Sequence, residues 1–139
     1  MQTTMRTEYA IRALLELSSV DENTLLPLKM ICKKGELPQK FLEHLFKSLK
    51  DAGIVTSRKG KNGGYKLKRK PSEITLYDIF KAVDYQIIEN NCNKLKNKEY
   101  CIGKPCILSE IWKDIEKKEE SIYNSITLKD IIDKNKERG

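Results

Sequence analysis

Histidine is nearly missing from this chain: His44 stands alone among 139 residues. It has no cysteine, aspartate or serine partner at a catalytic spacing, so the sequence does not read as an enzyme. Short Cys-x-x-Cys pairs are also missing, which weakens the reading of a structural zinc knuckle. No apolar run approaches the length that crosses a bilayer. The N-terminus has no apolar stretch of the signal-peptide kind. The expected setting is therefore the cytoplasm, with no membrane partner and no small-molecule substrate. Thiols stay reduced there, and clustered cysteines more often bind metal or sense redox state than form structural disulfides.

One further absence is local. Residues 54–70 contain no acid, yet they carry Arg58, Lys59, Lys61, Lys66, Lys68, Arg69 and Lys70. Those seven bases match the whole formal net charge of +7. A basic patch this concentrated is an electrostatic footprint for a polyanion.

The apolar residues are arranged mainly at helical spacing. Met5, Tyr9, Ala13 and Leu17, with Leu14 beside them, form one face of a helix that Thr3 or Thr4 can cap. Glu8 and Arg12 lie one turn apart on another face and can pair. A polar turn follows, and then Pro27 opens a short helix, Leu28 to Lys34, which Gly35 can end. Cys32 in that helix reads as a small core hydrophobe.

From Pro38 to Ala52 the pattern is strongly amphipathic. Phe41, Leu42, Leu45, Phe46 and Leu49 make the core stripe, and Gly53 supplies the stop. The opposite face holds Gln39, Lys40, Glu43, His44, Lys47 and Ser48, which are groups of the kind that read base edges and phosphates. Two β-prone runs then flank a glycine-rich turn carrying Arg58, Lys59, Lys61, Asn62 and Gly63, which spells a basic hairpin. No helix follows the glycines and no Gly-Lys-Ser/Thr signature is present, so a phosphate-cradling loop is excluded. Two short helices before a basic hairpin form the winged helix-turn-helix pattern. Its second helix is expected in the major groove of double-stranded DNA, and its wing against the backbone or minor groove.

The hexapeptides Ile74-Thr-Leu-Tyr-Asp-Ile79 and Ile126-Thr-Leu-Lys-Asp-Ile131 repeat one capping solution. In each, threonine is the N-cap, aspartate sits three residues on, and flanking isoleucines form a staple. Leu76, Ile79, Phe80 and Val83 then give a helix behind the DNA-reading unit. Residues 84–104 show no period. Cys92, Cys101 and Cys106 fall in or just after them, spaced by eight and by four residues. Three thiols here can converge on one point. Leu108, Ile111, Trp112, Ile115 and Ile122 mark the apolar side of a long following helix. That helix needs a partner surface, and a second copy of it would supply one in a twofold dimer. The polar tail from Lys134 to Gly139 is expected to fray.

Laid out this way, the chain resembles the Rrf family of bacterial winged-helix transcription regulators over nearly its whole length. The resemblance rests on Arg-Thr-Glu-Tyr-Ala at residues 6–10 and on the run from Leu37 to Gly53. It continues through Ser-Arg-Lys-Gly-Lys-Asn-Gly-Gly-Tyr at 57–65, residues 74–83, and the three cysteines leading into Trp112. It implies a mainly α fold with a small β-hairpin wing and a long C-terminal dimerisation helix. The implied boundaries are 1–84 for the winged helix-turn-helix, 85–106 for a cluster-binding loop, and 107–139 for the dimerisation helix and a short last helix.

It also implies a homodimeric repressor that binds an operator through Gln39, Lys40, Glu43, His44, Lys47, Arg58, Lys59, Lys61, Asn62 and Gly63. In cluster-binding members three cysteines hold an iron–sulfur cluster, so Cys92, Cys101 and Cys106 are the matching ligands here, for a 2Fe–2S or a 4Fe–4S centre. The chain departs from the IscR-like branch in its cysteine spacing and in having Ser109 where that branch has a ligand histidine. The NsrR-like branch uses a carboxylate from the partner subunit's first helix, and Glu8 stands at the matching position. The rival readings are a structural zinc site, and a metal-free regulator controlled by a partner protein or by thiol oxidation.

Overall fold

Thr4 starts the first helix, α1 (Met5–Ser18), its hydroxyl accepting from the Thr7 N–H and satisfying one of the donors a helix start leaves open. The computed structural model describes residues 4–84 and 107–139. The buried face of α1 is Thr7, Ala10, Ala13, Leu14 and Leu17. This face is rotated from the expected stripe at its start: Met5 is 62% exposed and Tyr9 only half-buried. The small side chains of Ala10 and Ala13 admit close neighbours, and the Thr7 hydroxyl has a buried acceptor. A face that looks weakly apolar is therefore the one that packs.

Helix α2 (Leu28–Gly35) follows Pro27 in extended conformation. Its stop is not Gly35, which is still helical, but Glu36, in the left-handed region at φ 52°. That turn sends Leu37 back into the core, where it is buried. Cys32 is buried beside Ile31, and burial followed by the Glu43 carboxylate pushes its thiol pKa up. Helix α3 (Gln39–Asp51) buries Leu42, Leu45, Phe46 and Leu49. Pro38 serves as its N-cap, and Gly53 turns the chain at φ 76°.

Strands β1 (Val55–Arg58) and β2 (Gly64–Leu67) pair antiparallel, with Val55 opposite Leu67 and Arg58 opposite Gly64. The wing is also pinned at its root. Leu26 and Tyr65 exchange both backbone hydrogen bonds at 2.9 Å. A side chain at Gly64 would strike the Leu26 carbonyl, so glycine is required where the two backbones meet.

A 3-10 turn over Pro71–Glu73 leads into α4 (Leu76–Val83), which opens on a complete capping box between Thr75 and Asp78. The long helix α5 (Ile107–Asn124) and α6 (Leu128–Glu137) follow. α6 opens on the matching box, Thr127 with Asp130. The two boxes are bound to each other: the Leu76 N–H donates to the Ile126 carbonyl, and the Leu128 N–H to the Ile74 carbonyl, both at 2.8 Å. Ile74, Ile79 and Leu128 are fully buried there. The expected frayed tail is instead helical to Glu137. The cap holds one end, Lys129 pairs with Asp133 at 3.0 Å, and Lys134 and Lys136 suit the C-terminal end of the helix dipole.

Candidate functional site

The residues expected to contact DNA share one surface of this frame. The stripe that buries Leu42, Leu45, Phe46 and Leu49 leaves Gln39, Lys40, Glu43, His44 and Lys47 exposed on the other side of α3. This is the direct consequence of 3.6-residue periodicity. At the wing, Arg58, Lys59, Lys61 and Asn62 are exposed and Gly63 is half-buried. The two parts are fixed to each other by the Phe46 and Tyr65 rings, whose centroids lie 4.7 Å apart. Of the basic residues after the wing, Arg69 is held on the surface by Asp78, to which it donates at 3.4 Å, and by the Glu73 carbonyl.

The start of α1 bears on α3 as well. The Arg6 guanidinium carbon lies 5.9 Å from the centroid of the Phe41 ring. Phe41 meets Tyr9 edge-to-face at 5.5 Å, and Arg12 sits 5.7 Å over Tyr9 while donating to the Gly35 carbonyl at 2.7 Å. A row of two edge-to-face rings with a cation at each end, Arg6–Phe41–Tyr9–Arg12, thus runs along the side of the helix-turn-helix. Nothing in the periodicity of α1 announced it, because the spacing pointed Arg12 only to Glu8 and gave Arg6 no partner.

Cys92, Cys101 and Cys106 all lie outside the described residues. Among the described residues no group of three or more histidine, cysteine or acidic side chains is placed to hold a metal ion. Glu8 is described, and it is exposed on the first turns of α1.

Helix α5 carries an apolar stripe open to solvent, from Ile107, Leu108, Ile111, Trp112 and Ile115 to Ile122 one gap further on, each between 39% and 65% exposed. Its anchor to the rest of the chain is Tyr123, buried against Phe80 with centroids 4.9 Å apart. An open cleft of about 770 Å³ between the end of α1, β2 and α6 is lined by both lysines and acids, and none of the candidate residues reaches it. Among the described residues no helix is long and apolar enough to cross a membrane.

A model of the Rrf2 family, described as "Iron-dependent Transcriptional regulator", matches residues 3–134. The chain is similar to the HTH-type transcriptional regulator IscR of Aliivibrio salmonicida, 31% identical over 133 residues that cover 95% of this chain and 77% of that protein. It is 30% identical to the IscR of Yersinia pestis, covering 95% of this chain and 79% of that one. Among solved structures it is similar to T. potens IscR, at TM-score 0.70 and 27% identity, with 99% of this chain and 90% of that chain covered. It is also similar to CymR, the global cysteine regulator of B. subtilis, at TM-score 0.72 and 26% identity, with 96% and 97% covered.

Proposed function

The chain belongs to the Rrf2 family of DNA-binding transcriptional regulators, and from that premise we propose that it works as a homodimer whose operator affinity is set by an iron–sulfur cluster. The observation that carries the reading is the donor set: three cysteines in a 15-residue stretch, Cys92 to Cys106, in a chain whose family is described as iron-dependent. Three thiolates suit an iron–sulfur centre, and a fourth ligand other than cysteine tunes its lability and potential. When bound, such a centre supplies a tie that oxidation, nitric oxide or iron shortage can break.

Cys92, Cys101 and Cys106 would hold the group. Glu8 of the opposite protomer would complete it, which makes the site a property of the dimer. The exposed stripe from Ile107 to Ile122 supports that dimer, because an apolar face this long is unusual on a monomer surface. A twofold pairing of α5 would cover it. DNA contact falls to Gln39, Lys40, Glu43, His44 and Lys47 on α3 and to Arg58, Lys59, Lys61, Asn62 and Gly63 on the wing. Their exposure around a rigid Phe46–Tyr65 joint supports that assignment.

The likeness to CymR favours a second reading, a regulator without iron that answers to a partner protein or to thiol oxidation. The retained set of three cysteines weighs against it. Anaerobic isolation decides between them. Brown protein containing iron and acid-labile sulfide supports the cluster; colourless protein containing zinc or no metal rejects it. Replacing Glu8 by alanine tests the fourth ligand, and an unchanged spectrum and cluster lifetime would remove Glu8 from the site.

A further inference from the structure

We propose that the Asp84 carboxylate and the Arg6 guanidinium are positioning groups that carry the setting of the α4 C-terminus to the start of the reading helix α3. The inference rests on the function proposed above, in which the chain beyond Asp84 leads to the sensing cysteines.

The geometry runs through three short steps. Asp84 closes α4 with its N–H on the Phe80 carbonyl at 2.7 Å. It is the last described residue before the segment 85–106. Its side chain is turned back into the protein, where the residue is only 9% exposed. There Oδ2 accepts from the Thr7 hydroxyl at 2.6 Å and from the Thr4 hydroxyl. Thr7 is itself 1% exposed, and Thr4 is the cap that starts α1. A buried carboxylate held by two hydroxyls of one helix cannot leave them without losing hydrogen bonds that water does not replace.

Between the two threonines projects Arg6. Its Nε donates to the Val83 carbonyl at 2.9 Å, and its guanidinium lies against Phe41. Phe41 directly follows Gln39 and Lys40, two of the proposed base-reading residues. A change in the direction of the chain at Val83 and Asp84 must therefore either break this latch or move the first turn of α1, and with it the cation packed on α3. Coupling between distant sites travels through contiguous packed and hydrogen-bonded groups of this kind, provided that two arrangements exist. Glu8 rides on the same turn of α1, so the latch gathers both routes from the sensing side onto one element.

Two measurements on the full chain test this. In the first, amide hydrogen exchange is followed by NMR on metal-free protein without DNA. Asp84→Ala and Arg6→Ala should each speed exchange at Glu8, whose N–H donates to Thr4, and also at Leu42, whose N–H donates to Pro38. A latch that merely steadies α1 would move Glu8 alone, and that result overturns the proposal. In the second, operator affinity is measured for iron-loaded and chelator-stripped protein. Arg6→Ala should shrink the ratio of the two affinities by about fivefold or more, the lower end of usual allosteric couplings, while Arg6→Lys restores part of it. A wild-type ratio retained by Arg6→Ala overturns the proposal. A wild-type ratio of one overturns the control by iron instead, and the exchange measurement still decides the latch.

Discussion

Phe46 of the reading helix and Tyr65 of the wing stand 4.7 Å apart, centroid to centroid, with their rings tilted by 58°. This packing joins α3 and the wing, the two elements proposed to face DNA, into one rigid head. Tyr65 also exchanges backbone bonds with Leu26, so the wing is held on both sides. Tyr65→Ala should cost about 0.5–1.5 kcal/mol of stability for the lost ring pair, with a further loss for the packing of the half-buried ring. It should weaken operator binding more than a substitution of equal stability cost far from the head. Urea denaturation together with fluorescence anisotropy on a labelled operator measures both.

The wing tip should act through phosphates. Lys59→Ala with Lys61→Ala is expected to weaken binding to all sequences alike. It should also lower the salt dependence by about one unit of slope for each phosphate no longer neutralised. Titrations at several salt concentrations, on operator and on random duplex, check this. Weakening confined to the operator would assign the tip to base reading.

The start of α3 should act through bases. Gln39 and Lys40 are exposed at its first turn. Replacing either by alanine should cost about 1–3 kcal/mol at individual operator positions and less on random DNA, as expected when a hydrogen bond to a base edge is removed. Binding to a panel of single-base operator variants shows which position is relaxed.

These parts of the head were legible in the sequence for a physical reason. Helix α3 has a wide apolar stripe, and the wing has a glycine turn between β-prone runs. Both signals are local. The pairing of Leu26 with Tyr65 and of the Thr75 cap with the Thr127 cap joins residues far apart in the chain, and no local period encodes it. Ala13, Leu14 and Leu17 are buried as the spacing predicts, whereas the rotated start of the face escaped because its packing depends on Ala10 and a hydroxyl, Thr7, whose partner Asp84 lies 77 residues away. Cys92, Cys101 and Cys106 stand out in the sequence as a set and lie outside the described residues.

Helix α5 carries the prediction for assembly. Ile115→Glu places a charge in the middle of the exposed stripe. It should shift the protein from dimer to monomer in sedimentation velocity, and operator affinity should fall with the dimer. A variant that stays dimeric would place the twofold interface elsewhere.

Acid should loosen α6. The Thr127 backbone N–H, then its hydroxyl, hold the Asp130 carboxyl below its ordinary pKa. A carboxylate whose pKa is depressed in the folded state contributes stability that is full above the unfolded value, about 4, and is lost as pH falls through the folded one. Asp130→Asn should therefore flatten the pH dependence of stability below about pH 4 and leave its shape near neutrality unchanged. Thermal melts from pH 7 to pH 2 read this difference.

A centre held by Cys92, Cys101 and Cys106 is proposed to set the affinity of the head for DNA. Operator binding by anaerobically isolated protein, measured before and after removal of its iron with a chelator, tests it most directly. The account predicts affinities that differ by about fivefold or more between the two states, and no such difference once Cys101 is replaced by alanine. Equal affinities for the iron-containing and iron-free protein would contradict it.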